Sequence, residues 1–290
     1  MRPIDVKTFK YKNNLALKQR RTFNFRAIVI SALVIGLFIG GGYVFFFTPW
    51  LKVNNIILEG LIGQHQDDIR QAIEHNLNGK VLGVPVGRDI LFVRSGSLEA
   101  DLMSQFSFLE DVSIQKKYFN TLKIMATERQ AEGVWCFNLL DSVQIKSFVA
   151  SPDCRYFDYG GVTFGQAIQS SGVLLLNVDD LRIQSASVSL SAVDPSFLKA
   201  IQTVVPALID WDVKVKKITI PAETYTEFDI QVSDSALSSG ANDYILKFNL
   251  DSDLVNQLDV FRIFRNQKMI ESTLRPQYID LRFDGRVYFK

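Results

Sequence analysis

The stretch VSIQKKYFNTLKIMATE, Val112–Glu128, alternates apolar and polar residues twice. Val112 and Ile114 alternate with Ser113 and Gln115, and Leu122, Ile124 and Ala126 share one side of the second run. A period of two on either side of Phe119-Asn120 predicts two strands joined by a turn. The residues before this hairpin change period. SLEADLMSQF, 97–106, puts Leu98, Leu102, Met103 and Phe106 on one helical face, and DDIRQAIEHNL, 67–77, does the same with Ile69, Ile73 and Leu77. A connection rich in Gly and Val, Gly79–Arg94 with Pro85, separates the two. Val53–Leu58 reads as an opening strand stopped by Gly60. The order is strand, helix, helix, strand, strand over about 80 residues, enough for a three-stranded sheet covered by two helices.

Further upstream, no charged residue occurs from Ala27 to Leu51. AIVISALVIGLFIGGGYVFFFT, Ala27–Thr48, would be about 33 Å long as a helix, the thickness of the apolar slab of a bilayer. Tyr43 and Trp50 suit the interfacial belt, and Pro49 ends the run. With no small-residue cleavage site after it, the run reads as an uncleaved anchor. Gly36 and Gly40 form one G-x-x-x-G, a weak pairing signal beside the reading of a tolerated flexible stretch. Residues 1–26 hold eight Lys/Arg and one acid, a net +7, so the remainder of a chain of net +1 carries −6. Eight cations before the span and Lys52 alone just after it orient the N-terminus to the cytoplasm and residues 52–290 outside it. Topology and anionic lipid account for the basic arm without a nucleic acid.

From Trp135 onward short strand-like pieces sit between turn signals: Val143–Val149, Tyr156–Asp158, Val162–Phe164, Gly172–Leu176, Ser185–Leu190, Lys214–Ile220, Glu227–Val232 and Tyr244–Leu250. Two helices interrupt them. One has Asp194 as N-cap and Pro195 at its first position and is expected to end at Pro206. The other starts near Asp251-Ser252 and carries Leu254, Leu258, Phe261 and Phe264. The chain closes on RPQYIDLRFDGRVYFK, Arg275–Lys290, expected as a strand running to the last residue with Ile279, Leu281 and Phe283 on one side. The fold class is α+β: a single N-terminal transmembrane helix, a small βααββ domain, then a mixed β-rich domain with two helices and a C-terminal edge strand. The expected divisions are 1–26, 27–48, 51–132 and 133–290. No internal repeat is evident.

Cys136 and Cys154 both follow the span, in a compartment that permits a disulfide. They flank two strands and a connection, so they can face each other; a bridge would stabilise by about 3 kcal/mol in the loop-closure picture. Two free, half-buried thiols are the alternative. His65 and His75 are the two histidines and lie far from the cysteines in sequence, which argues against zinc. No G-x-S-x-G, G-x-x-x-x-G-K-[ST] or H-E-x-x-H occurs. Asp67-Asp68 at a helix start and Asp179-Asp180 in a loop read as capping or solvated acids. The expectation is a protein without catalytic residues, metal, cofactor or small-molecule substrate.

At several points the chain resembles the FtsQ/DivIB family of bacterial cell-division proteins. Ile56-Ile57-Leu58-Glu59-Gly60 resembles the family's opening strand ending in V-x-G. Residues 117–124, KYFNTLKI, resemble R-x-P-x-T-L-x-I, and Glu128-Arg129 before Trp135 resembles E-R-x-P-x-x-x-W. Asp158-Tyr159-Gly160-Gly161-Val162-Thr163-Phe164 looks like D-x-x-G-x-x-F, and Tyr278–Phe283 is similar to the closing Y-(I/V)-D-(L/M)-R-(F/Y). Phe119 and Ala131 stand where the family often has proline. The resemblance implies that the βααββ part is a POTRA module, that residues 133–290 form the β-domain, and that the protein is a scaffold. It implies FtsB-like and FtsL-like single-span partners, other division proteins, and an FtsB segment that adds as a strand at the C-terminal edge. On the last strand this points to Arg282, Phe283, Arg286 and Tyr288 as the partner-binding residues. A terminal strand paired internally, with Asp284-Gly285 as a bulge or tight turn, is the alternative. Another single-span POTRA-type assembly or chaperone factor, and a membrane-anchored extracytoplasmic enzyme, are the rival functions.

Overall fold

The computed structural model describes residues 25–43, 51–78, 88–118, 120–140, 151–168, 175–185, 190–237, 242–271 and 274–290. The first helix, α1, is Phe25–Tyr43, nineteen residues of mean hydropathy 2.0, long and apolar enough to cross a membrane. The basic arm through Asn24, the expected span residues Val44–Thr48, and Pro49 and Trp50 lie outside the described residues. The chain forms two compact units. One holds the residues before Phe106 together with Asp111–Thr127; the other holds Phe106–Glu110 and Glu128–Lys290.

After α1, the first unit runs β1 (Asn55–Glu59), α2 (Gly63–Leu77), α3 (Ser95–Gln105), β2 (Leu109–Lys117) and β3 (Thr121–Glu128). The three strands lie in the order β1-β3-β2, with β1 parallel to β3 from Asn55 opposite Thr121 to Glu59 opposite Met125. The predicted periodicities supply the core: Ile69, Ile73 and Leu77 from α2, Leu98 and Leu102 from α3, and Val112, Ile114, Leu122, Ile124 and Ala126 from the strands are all buried. Met103, expected on the inner face of α3, is exposed. Gly60 ends β1 at φ +89°, and a Cβ there would sit 2.1 Å from the Ala126 carbonyl oxygen, so only glycine fits.

The second unit is one sheet with two helices. Its strands are β4 (Gly133–Leu140), β5 (Ser151–Phe157), β6 (Thr163–Phe164), β7 (Leu176–Ser185), β8 (Val213–Ile220), β9 (Glu227–Asp234), β10 (Asn242–Asn249), β11 (Tyr278–Asp280) and β12 (Tyr288–Phe289). They lie in the order β12-β11-β10-β9-β8-β7-β4-β5-β6. Of the parallel neighbours, β7 with β8 and β10 with β11 are each joined through a helix, while β4 pairs in parallel with β7 across a connection that includes β5 and β6. The connecting helices are α4 (Pro195–Asp210) and α5 (Leu254–Phe264). Asp194 caps α4 by accepting from the Ser196 N–H, and Asp253 caps α5 by accepting from Val255. Phe197, Ile201, Val204 and Leu208 of α4 and Leu258 and Phe261 of α5 are buried with Phe228 and Phe248 of the sheet, whose rings stack at 5.3 Å. Burying one such side chain stabilises by about 1.5–3 kcal/mol.

Three expectations are corrected. Pro206 does not end α4, which continues to Asp210. A proline inside a helix lacks one hydrogen bond, but Val204 and Leu208 on either side of it are fully buried and hold the segment helical. Asp179-Asp180 does not lie in a loop. Both acids are buried on β7, where Lys217 pairs with Asp179 and Arg182 with Asp180. The closing strand does not run to the last residue; it stops at Asp280 and the chain folds back as β12. The expected strand at 143–149 lies outside the described residues, as do most of those at 172–176 and 185–190.

Beyond α5 the helix widens into a π-turn, Arg265–Ile270. The buried Arg265 guanidinium donates to both oxygens of Asp234 at 2.6 and 2.7 Å, and the Tyr244 hydroxyl donates to the same carboxylate at 3.1 Å. The Asp234 hydrogen bond holds Arg265 further toward its charged form, while burial pushes the Tyr244 hydroxyl strongly up, so it stays protonated.

Candidate partner-binding edge

The end of the sheet is built by the last thirteen residues. β11 pairs in parallel with β10, Ile245 opposite Tyr278 to Lys247 opposite Asp280. β12 returns antiparallel on its other side, with Ile279 opposite Phe289 and Asp280 opposite Tyr288. A turn joins them: the Arg286 N–H donates to the Phe283 carbonyl at 3.1 Å, and Gly285 sits at φ +65°. The internal hairpin is thus the arrangement present, and β12 is the outermost strand.

β11 ends at Asp280. Its Oδ1 accepts the Arg282 backbone N–H at 3.1 Å, a local turn just past the strand. The Arg282 side chain closes on the same carboxylate, Nε to Oδ1 at 2.9 Å and Nη2 to Oδ2 at 2.6 Å, and its Nη1 reaches Glu227. The hydrogen bond to Asp280, helped by Glu227, raises the affinity of Arg282 for its proton. Burial of the Asp280 carboxyl opposes its charge, but the Arg282 side-chain and backbone bonds and the nearby charges of Arg282 and Lys247 hold it below the ordinary carboxylate value.

The four residues singled out in the sequence therefore do different things. Arg282 is turned inward and braces the hairpin. Phe283 and Tyr288 touch, their rings 5.2 Å apart and near perpendicular, and Arg286 is exposed in the turn. Phe289 was not singled out, yet it shares the edge: its ring lies 5.1 Å from Phe264, on the π-turn side. Phe283, Tyr288 and Phe289 are 52%, 48% and 47% exposed, Phe283 against Tyr288 and Phe289, by strand alternation, on the opposite face of β12. Phe283 was expected to share the buried side of Ile279 and Leu281; the turn carries it to the surface instead. The Lys290 N–H donates to the Tyr278 carbonyl, so by alternation Tyr288 also faces β11. The same alternation turns the N–H and C=O of Phe289 to the open side.

At the other end of the sheet, Cys136 of β4 lies directly opposite Cys154 of β5, and the two are joined as a disulfide. They pack with Val134, Tyr156 and Ala167, apart from the main core.

No family model matches the chain. A curated protein of Streptomyces bingchenggensis (strain BCW-1), named cell division protein FtsQ, is 22% identical to it over 125 residues. That match covers 43% of this chain and 42% of the other protein's length. Over less than half of either length, the chain is similar to a protein that bears a division name.

Proposed function

We propose that this protein is a membrane-anchored scaffold of the bacterial division machinery, of the FtsQ/DivIB kind. α1 is its single anchor, with the N-terminus in the cytoplasm and both units outside. The βααββ unit serves as a POTRA-type docking module. The second unit links FtsB-like and FtsL-like single-span proteins and other division proteins, and no step of the role is catalytic. The observation that carries this reading is the open β12 edge, where Phe289 presents unpaired main-chain groups between exposed aromatic rings. An open edge is a template for another strand. Main-chain bonds then supply affinity and alternate side chains supply selectivity. The similarity to a protein named FtsQ supports the same role.

The test is a binding assay of the full-length chain with the extracytoplasmic part of the FtsB-like protein from the same cell. Phe289→Pro removes the outward N–H and leaves the bonds of Tyr288 and Lys290 to β11 in place. The expected result is a loss of binding of about ten-fold or more, with removal of residues 284–290 abolishing it. Unchanged binding by both variants would sink the edge as the site, and no binding by any form would favour another single-span POTRA-type factor.

A further inference from the structure

In the first unit, a cleft of about 410 Å³ opens where the ends of the three strands meet. Its walls are the start of β1 from Asn54, Arg70 of α2, Lys117 and Tyr118 at the end of β2, and Thr121 of β3. The volume is that of a small-molecule site. Among the described residues that line it, both charged ones are cations and none is a carboxylate. Among the described residues neither Arg70 nor Lys117 has an ion-pair partner. Arg70 makes one long contact, Nη1 to the Ile56 carbonyl at 3.5 Å, which engages one of its five N–H donors. Two exposed cations brought to one cleft from different elements offer an anion donors from both walls.

The backbone adds an independent observation. Tyr118 stands at φ +55°, a left-handed conformation uncommon outside glycine, and its side chain is 87% exposed. The conformation serves the short connection from β2 to β3, which leaves that ring on the surface. Here it places a ring with a polar tip on the rim of a cationic cleft, beside the Asn54 and Asn55 amides.

We infer that this cleft binds a phosphate group, carried by the headgroup of an anionic phospholipid or by a free phosphate compound. A tetrahedral anion can take a guanidinium fork from one wall and an ammonium from the other. The lipid source is within reach: ten residues lie between Tyr43, the end of α1, and Asn54, a tether of at most about 40 Å. Only that source depends on α1 being the anchor.

The experiment uses the full-length chain in uncharged detergent, with bound molecules counted by native mass spectrometry. The probes are short-chain phosphatidylglycerol, short-chain phosphatidylcholine and inorganic phosphate. The variant is Arg70→Gln with Lys117→Gln, and the charge-matched control is Lys12→Gln with Lys18→Gln. The expected result is phosphatidylglycerol binding weakened about ten-fold in the cleft variant and much less in the control. Inorganic phosphate that displaces phosphatidylglycerol from the wild type, and fails to bind the cleft variant, would support the site and assign it to a free phosphate compound. Phosphatidylglycerol binding that phosphate does not displace and that the cleft variant loses would support it and assign it to lipid. Equal binding of every probe by the cleft variant and the wild type overturns the proposal, as does weakening by the control to the same degree.

Discussion

Arg182 and Arg282, one hundred positions apart, hold the same clamp. Each follows an Asp-Leu pair, Asp180-Leu181 and Asp280-Leu281. Each donates Nε and Nη2 to the two oxygens of its aspartate, at 2.9 and 2.7 Å for Arg182 and 2.9 and 2.6 Å for Arg282. Each backbone N–H joins in, at 3.2 and 3.1 Å. Each sends Nη1 to a third acid, Asp194 at the start of α4 or Glu227 at the start of β9. Each clamp thus ties a strand, within β7 or at the end of β11, to the beginning of another element.

Removing one clamp leaves a largely buried carboxylate without its partner. Arg282→Ala is expected to cost about 2–3 kcal/mol, and Arg182→Ala about as much or more, since Asp180 is the more deeply buried acid. Arg282→Lys recovers little, because an ammonium cannot donate the paired bonds. Urea unfolding of the detergent-solubilised chain, followed by near-ultraviolet circular dichroism, measures both.

The depressed pKa of Asp280 gives stability a pH dependence of known sign. The folded state binds this proton less tightly than the unfolded chain, whose carboxyl titrates near the ordinary value of 3.8. The contribution is therefore complete above that value and disappears as the pH falls through the lower, folded one. Asp280→Asn is expected to be destabilising at neutral pH, with its deficit shrinking as acid is added below about pH 4. A deficit that stays constant from neutral pH into acid would contradict this assignment.

The Cys136–Cys154 bond closes a loop of 18 residues. In the chain-entropy picture its loss costs about 3 kcal/mol. Thermal unfolding with and without a thiol reductant should differ accordingly. Cys136→Ser with Cys154→Ser should unfold like the reduced wild type and show no response to the reductant.

Gly60→Ala places a methyl group against the Ala126 carbonyl at a backbone conformation that alanine avoids. The expected loss is about 2 kcal/mol or more, confined to the βααββ unit. Hydrogen exchange should show faster opening of β1 and β3 with the nine-stranded sheet unaffected.

Much of the first unit was legible because its helices and hairpin each have one wet and one buried face, so periodicity reports them directly. β7 was not. LNVDDLRIQS looks polar because Asp179 and Asp180 are buried on it, and their charges are met by Arg182 and by Lys217 on the next strand. A pairing across 38 positions leaves no local pattern. The end of the chain was over-read for the opposite reason: alternation continues through Phe283, while the fold-back rests on a turn with Gly285 at φ +65° rather than on a period. Phe289 joined the edge only once the fold-back was seen. The cleft around Arg70 and Lys117 was equally silent, since its walls come from separate elements.

The order of strands β7 through β12 across the sheet is their order along the chain. Each new strand lays itself against the one made just before, with one helix inserted before β8 and another before β11. Assembly on this side can proceed like a zipper that closes in one direction. Its outer margin then exists only on a sheet whose inner strands are already seated, and a defect at any earlier rung removes it. A partner that recognises the β12 margin would thereby inspect the whole domain, engaging finished molecules and ignoring half-folded ones.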